Sequence, residues 1–182
     1  MGYDYVSTAS YGVVSEDNKT IEVAGIIDQP NKIVAISNSF PVNVKKFTAA
    51  HELGHAILHK QSILHRDLPI DFTGSNRNRD KVELDADKFA TYFLMPTKWV
   101  NKEFATIFGS NIFTINENNA FKFGGRSSTD LVKECKNLRG LSRKLSSCGR
   151  FDGNNITPLY EKFGVSIEAM AIRLEELNLL KF

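Results

Sequence analysis

The sequence predicts an α+β fold with a small N-terminal sheet, a pair of helices that can form a site, and a helical C-terminal part. Three observations lead there. Two Val- and Ile-rich runs lie close together near the start, a strongly apolar helix with three of the four histidines follows, and from about residue 80 helix starts and stops recur.

The first run is residues 20–27, "TIEVAGII", and the second residues 32–38, "KIVAISN", with "DQPN" between them. This pattern predicts a β-hairpin or two neighbouring strands around a Pro-containing turn. A helix is expected from about residue 44, capped by Asn43 and ending near His59 or Lys60. Residues 61–79 read as irregular, with "TGSNRNR" an exposed loop. A second helix is expected from about Asp80 to Met95, where Pro96 stops it. Thr97 is placed to cap a third, which closes at Gly109. "NIFTINENNAFKFGG" can hold a strand, and helices are expected at about 129–147, 156–163 and 167–178. The expected division is a core over 1–108 and a helical extension over 109–182, packed on that core.

Composition narrows the class. Apolar residues make up 42% and charged residues 24%, ordinary values for a globular protein. A formal charge of +2 does not by itself point to nucleic acid. No apolar run reaches the roughly 18 residues of a membrane span. The opening "MGYDYVSTAS" lacks the basic and then apolar regions of a signal peptide, so the expected location is the cytoplasm. Cys135 and Cys148 form no C-x-x-C pair and read as two reduced structural thiols.

The chemistry concentrates in "FTAAHELGHAILH", Phe47 to His59. On a helix, residues four apart differ by about 40° in direction and about 6 Å in height, so His51 and His55 share a face and can share one metal ion. Glu52 points about 100° away from His51, which suits a general base acting on a metal-bound water better than a ligand. This is the H-E-x-x-H arrangement. Gly54 costs the helix interior roughly 1 kcal/mol relative to Ala, a cost that close approach by another backbone or a substrate would explain.

A catalytic zinc site needs a third protein ligand. The candidates are His59, His65, Asp67, Asp71, Glu83, Asp85 and Asp87. The direction of His59 has drifted about 80° from that of His51, so it does not easily join both histidines. His65 lies in the following loop and remains a candidate. Glu83 has the better surroundings, because Glu83, Asp87, Ala90 and Leu94 share one helix face. Asp87 can then accept a hydrogen bond from the far nitrogen of a ligating histidine. Glu83 can also be read as the N3 partner of Asp80 in a capping pair. Asp85 reads as a surface group.

Three blocks in order, "KKFTAAHELGHAILH", "VELDADKFATYFLMP" and "KFGVSIEAMAIRLEEL", resemble the ImmA/IrrE-type metallopeptidases, as does the lead-in "NKIVAISNSFP". The resemblance implies a zincin-like, gluzincin-type core. In it His51, His55 and Glu83 bind one zinc, Glu52 is the catalytic base, and Asp87 occupies the small polar position four residues after the ligand. It further implies a cytosolic regulator that cleaves a helix-turn-helix repressor. Tyr92, Tyr160 and His65 are available to stabilise an oxyanion, and no motif selects among them. Two other classes stay open: a zinc-containing regulator that binds protein or DNA without cleaving, and a toxin–antitoxin component.

"TPLYEKFGVSIEAMAIRLEELNLL" reads as helix, Gly-Val-Ser turn and helix, with Ser166 as cap. Residues 155–182 carry a net charge of −1, which disfavours a DNA-recognition helix there. Residues 122–150 hold eight Lys or Arg against Asp130 and Glu134. That stretch reads either as a solvated helix face or as a site for an acidic partner or nucleic acid.

Overall fold

The turn at Asp28-Gln29-Pro30-Asn31 is present, and Asp28 accepts hydrogen bonds from the backbone N–H and side-chain amide of Asn31. The computed structural model describes residues 2–8, 13–16, 19–59, 65–67 and 81–182. By its contacts the chain forms two compact units, residues 1–94 and 95–182. No helix among the described residues is long and apolar enough to cross a membrane.

The first unit contains strands β1 (Asp4–Thr8), β2 (Val13–Glu16), β3 (Lys19–Glu22), β4 (Gly25–Asp28) and β5 (Ile33–Ser37), helix α1 (Val42–Leu58), strand β6 (His65–Asp67) and helix α2 (Lys81–Leu94). Four strands form a sheet in the order β1-β5-β4-β6, with β1 parallel to β5 and the other pairs antiparallel. The expected hairpin is therefore β4–β5. The run 20–27 is split, however, because its first residues pair with β2 in a separate ribbon. Strand β6 lies where an irregular segment was expected. Its polar sequence has no strand pattern, but the outer edge of β4 offers unpaired backbone groups for it to bond. The "TGSNRNR" segment and Asp80 lie outside the described residues.

Helix α1 starts at Val42 rather than after Asn43. The carbonyl of Pro41 accepts the first helical bond, from Lys45 N–H, and the fixed φ of Pro41 sets the entry. Its exit at His59 and the span of α2 are as expected. The apolar sides of α1, α2, β4 and β5 meet in a core that includes Ile27, Ile36, Phe47, Ala50, Ala86 and Ala90. Gly54 has the expected role: a Cβ there would lie 3.2 Å from Ala86 Cα and 3.2 Å from Phe89 Cβ, so its absence lets α1 and α2 approach closely.

The second unit contains helix α3 (Thr97–Phe108), strand β7 (Phe113–Thr114), helices α4 (Glu117–Phe121), α5 (Ser128–Cys135) and α6 (Leu138–Ser146), strands β8 (Arg150–Phe151) and β9 (Asn154–Asn155), helices α7 (Leu159–Phe163) and α8 (Ile167–Glu176), and strand β10 (Leu180–Lys181). Gly109 ends α3 in the left-handed conformation, as expected. Thr97 does not cap α3: it is the first helical residue, and its hydroxyl accepts from buried Arg173, which also donates to the Met95 carbonyl. The single helix expected at 129–147 is two. Lys136 takes a positive φ, and Asn137 caps the new start by accepting from Gly140 N–H. A Cβ on Gly140 would run into the carbonyl of Cys135, so only glycine fits this break.

Short α4 and the β8–β9 hairpin were not anticipated. The hairpin does carry a signal, since Asp152 and Gly153 both have positive φ, as a two-residue Asp-Gly turn requires. Ser166 caps α8 as expected, accepting from Ala169 N–H at 3.0 Å. The core of this unit includes a ring cluster of Phe108, Phe113, Phe123 and Phe151. Cys135 and Cys148 are free and buried.

The basic stretch is largely paired within its own unit. Arg139 bonds Glu168 and Glu175, Arg143 bonds Glu168, Lys144 and Arg126 bond Glu134, and Lys122 approaches Asp152. The Arg139 and Arg143 pairs join α6 to α8, and Lys144 joins α6 to α5.

Candidate metal centre

The site lies where α1 crosses α2 in the first unit. His51 and His55 are almost fully buried on α1 and present their Nε2 atoms to each other at 2.9 Å. From α2, Glu83 places Oε2 3.3 Å from His51 Nε2 and Oε1 3.5 Å from His55 Nε2. The face predicted by the i, i+4 spacing is thus real, and the third residue comes from the neighbouring helix because Gly54, Ala86 and Ala90 let the two helices close.

Burial raises the Glu83 carboxyl, but hydrogen bonds from His51 and His55 outweigh it and hold the group well below the usual carboxylate range. Glu83 is therefore charged and faces two imidazoles. The capping alternative involves Asp80, which lies outside the described residues; the described contacts of Glu83 run to the histidines.

The outer nitrogens complete the geometry. Asp87, one turn after Glu83, sets Oδ1 2.8 Å from His51 Nδ1. A carboxylate only accepts, so His51 donates to Asp87 from Nδ1, and Nε2 is the nitrogen turned towards Glu83. On the other ring, His55 Nδ1 lies 3.2 Å from His59 Nδ1. Burial and then the neighbouring His55 lower the pKa of His59.

This donor set fits a divalent metal ion. One atom from each of His51, His55 and Glu83 lies within 4.8 Å of the others. Ligands about 2.0–2.2 Å from a tetrahedral zinc stand roughly 3.3–3.6 Å apart, which matches the two spacings to Glu83, while the two histidine nitrogens at 2.9 Å stand closer.

Glu52 is fully buried, and β4 forms its wall: a Cβ on Gly25 would lie 2.9 Å from Glu52 Oε1 and 2.5 Å from Thr48 Cγ2. The remaining candidates separate. His65 is in β6, and its side chain, with those of Asp67 and Asp71, lies outside the described residues. Asp85 is half-buried. Tyr92 is exposed on α2, nine residues and about half a turn around from Glu83. Tyr160 belongs to the second unit, where its hydroxyl donates to Glu161.

Sequence reasoning did not anticipate the parts played by Gly25, Gln29 and the His59 ring. Only His59 carried a signal, standing four residues after His55.

Residues 12–110, just over half of the chain, match the family model Peptidase_M78, described as the IrrE N-terminal-like domain. No curated protein and no solved structure matches the chain.

Proposed function

The chain belongs to the IrrE N-terminal-like family, Peptidase_M78, and on that premise we propose that it is a zinc metalloendopeptidase with a zincin-like core. One observation carries the proposal: two imidazole Nε2 atoms and a carboxylate converge at 2.9–3.5 Å from two helices, with a fully buried glutamate beside the first histidine.

His51, His55 and Glu83 would hold the ion. When bound, zinc supplies a Lewis acid that lowers the pKa of a water towards about 7 and polarises the scissile carbonyl. Glu52 takes a proton from the water as its oxygen bonds to the carbonyl carbon, then passes that proton to the leaving nitrogen as the C–N bond breaks. Asp87 keeps His51 in the tautomer that leaves Nε2 free to coordinate.

We take the substrate to be a cytoplasmic protein, of the helix-turn-helix repressor class that the family resemblance implies. The ion pairs between α6 and α8 favour a structural role for the basic stretch over nucleic-acid binding.

The test compares new protein N-termini by mass spectrometry in bacterial cells expressing wild type or Glu52→Gln at equal levels. A few termini formed only with wild type are expected, and they would identify the substrate and its bond. Identical termini, with zinc bound in both proteins, would overturn the peptidase reading in favour of a regulator that does not cleave.

A further inference from the structure

We infer that His59 is a positioning residue for His55, matching across the site what Asp87 does for His51, and that Gln29 holds it in place. The inference rests on the metal-site reading above. His55 is fully buried, and its Nε2 faces His51 and Glu83. A neutral imidazole that offers a lone pair at Nε2 carries its proton at Nδ1. That Nδ1 lies 3.2 Å from His59 Nδ1, with the ring centroids 5.3 Å apart and the planes at 51°. Two ring nitrogens facing each other cannot both donate. His55 therefore donates, and His59 accepts at Nδ1 and keeps its own proton on Nε2. His59 meets the outer nitrogen of His55, so its place is behind the ligand set rather than in it.

The ring needs support to stay there, because His59 has already left the helix, with φ −122° and ψ 136°. Gln29, in the turn between β4 and β5, supplies it. Its side-chain amide donates to the carbonyls of both His55 and His59 at 3.0 Å. The His55 carbonyl already accepts from His59 N–H at 3.1 Å, so Gln29 adds a second bond there and also reaches the His59 carbonyl just past the helix end. The hairpin turn thus ties the last turn of the metal-site helix in register with the sheet, and the His59 ring comes with it.

The experiment measures zinc affinity of the full chain by competition with a chromophoric chelator, with thermal melts as a folding check. His59→Ala is expected to weaken binding about 10- to 100-fold, the usual effect of losing such a partner. His59→Gln, whose side-chain oxygen can still accept, should recover most of the affinity, and Gln29→Ala should weaken binding in the same direction. Imidazole 15N shifts of the zinc-loaded wild type should show His55 with its proton on Nδ1, a readout that needs no variant to fold. Wild-type affinity in His59→Ala, equal losses in the Ala and Gln variants, or a proton on His55 Nε2 would each overturn the inference while leaving the site intact. A wild type that binds no zinc would instead remove the metal-site reading, and this inference with it.

Discussion

Asp87 Oδ1 lies 2.8 Å from His51 Nδ1, joining α2 to α1 through the nitrogen that faces away from Glu83. One helix therefore supplies both a carboxylate at the centre, Glu83, and a carboxylate behind it, Asp87, one turn apart. Removing the rear carboxylate should leave His51 free to rotate and to exchange tautomers. Asp87→Ala is expected to lower zinc affinity about 10- to 100-fold. Asp87→Asn should cost less, since its amide oxygen still accepts. Chelator competition checks both, and unchanged affinity in Asp87→Ala would rule out the orienting role.

Gly25 tests the wall behind Glu52. An added methyl would lie 2.5 Å from Thr48 Cγ2, 2.9 Å from Glu52 Oε1 and 3.2 Å from Ile36 Cδ1, so something must shift. Overpacking of this kind typically costs about 1–3 kcal/mol. Gly25→Ala is therefore expected to lower the urea midpoint and to slow substrate cleavage, while zinc content stays near that of wild type, because the methyl meets Glu52 rather than the three ligands. Full activity in this variant would mean that the position of Glu52 is not critical.

Acid should loosen the second unit through its partly exposed ion pairs. A hydrogen bond from Arg139 lowers the pKa of Glu175, against burial and with help from Ser142; Arg143 and then Arg139 do the same for Glu168, again against burial. A carboxyl depressed in the folded state stabilises above its unfolded pKa, about 4.3, and loses that contribution as pH falls through the folded value. The urea midpoint should hold above about pH 5 and drop below about pH 4. Arg139→Ala should lower the plateau and flatten the drop. The gain is modest, because the Arg139 side chain is 35% exposed and screened by solvent. Denaturant titrations across this pH range would show whether the slope depends on Arg139.

Local rules were enough wherever a short stretch carried its own constraint. The β4–β5 hairpin around "DQPN", the ends of α2, the left-handed Gly109 and the Ser166 cap all depend on residues within a few positions of one another. Local rules misplaced features whose outcome depended on distant partners. Thr97 is drawn to Arg173 rather than capping its helix, and polar His65–Asp67 becomes a strand because β4 needs an edge partner. The break at Lys136 and Asn137 was legible only in part, since a long apolar periodicity masked an Asn cap and a glycine three residues later.

By itself, the sequence determined the pair on α1: His51 and His55 share a face and Glu52 turns aside, because helical geometry follows from spacing alone. Only the tertiary structure decided what stands opposite and behind them. Glu83 had two local readings, ligand and cap, and the packing of α2 across Gly54 sets it opposite the histidines, while Gln29 reaches His55 and His59 only because the hairpin turn meets the end of α1. The physical reason is reach. Backbone periodicity orders side chains along one helix, whereas contacts between separate elements depend on close packing and on buried polar groups finding partners.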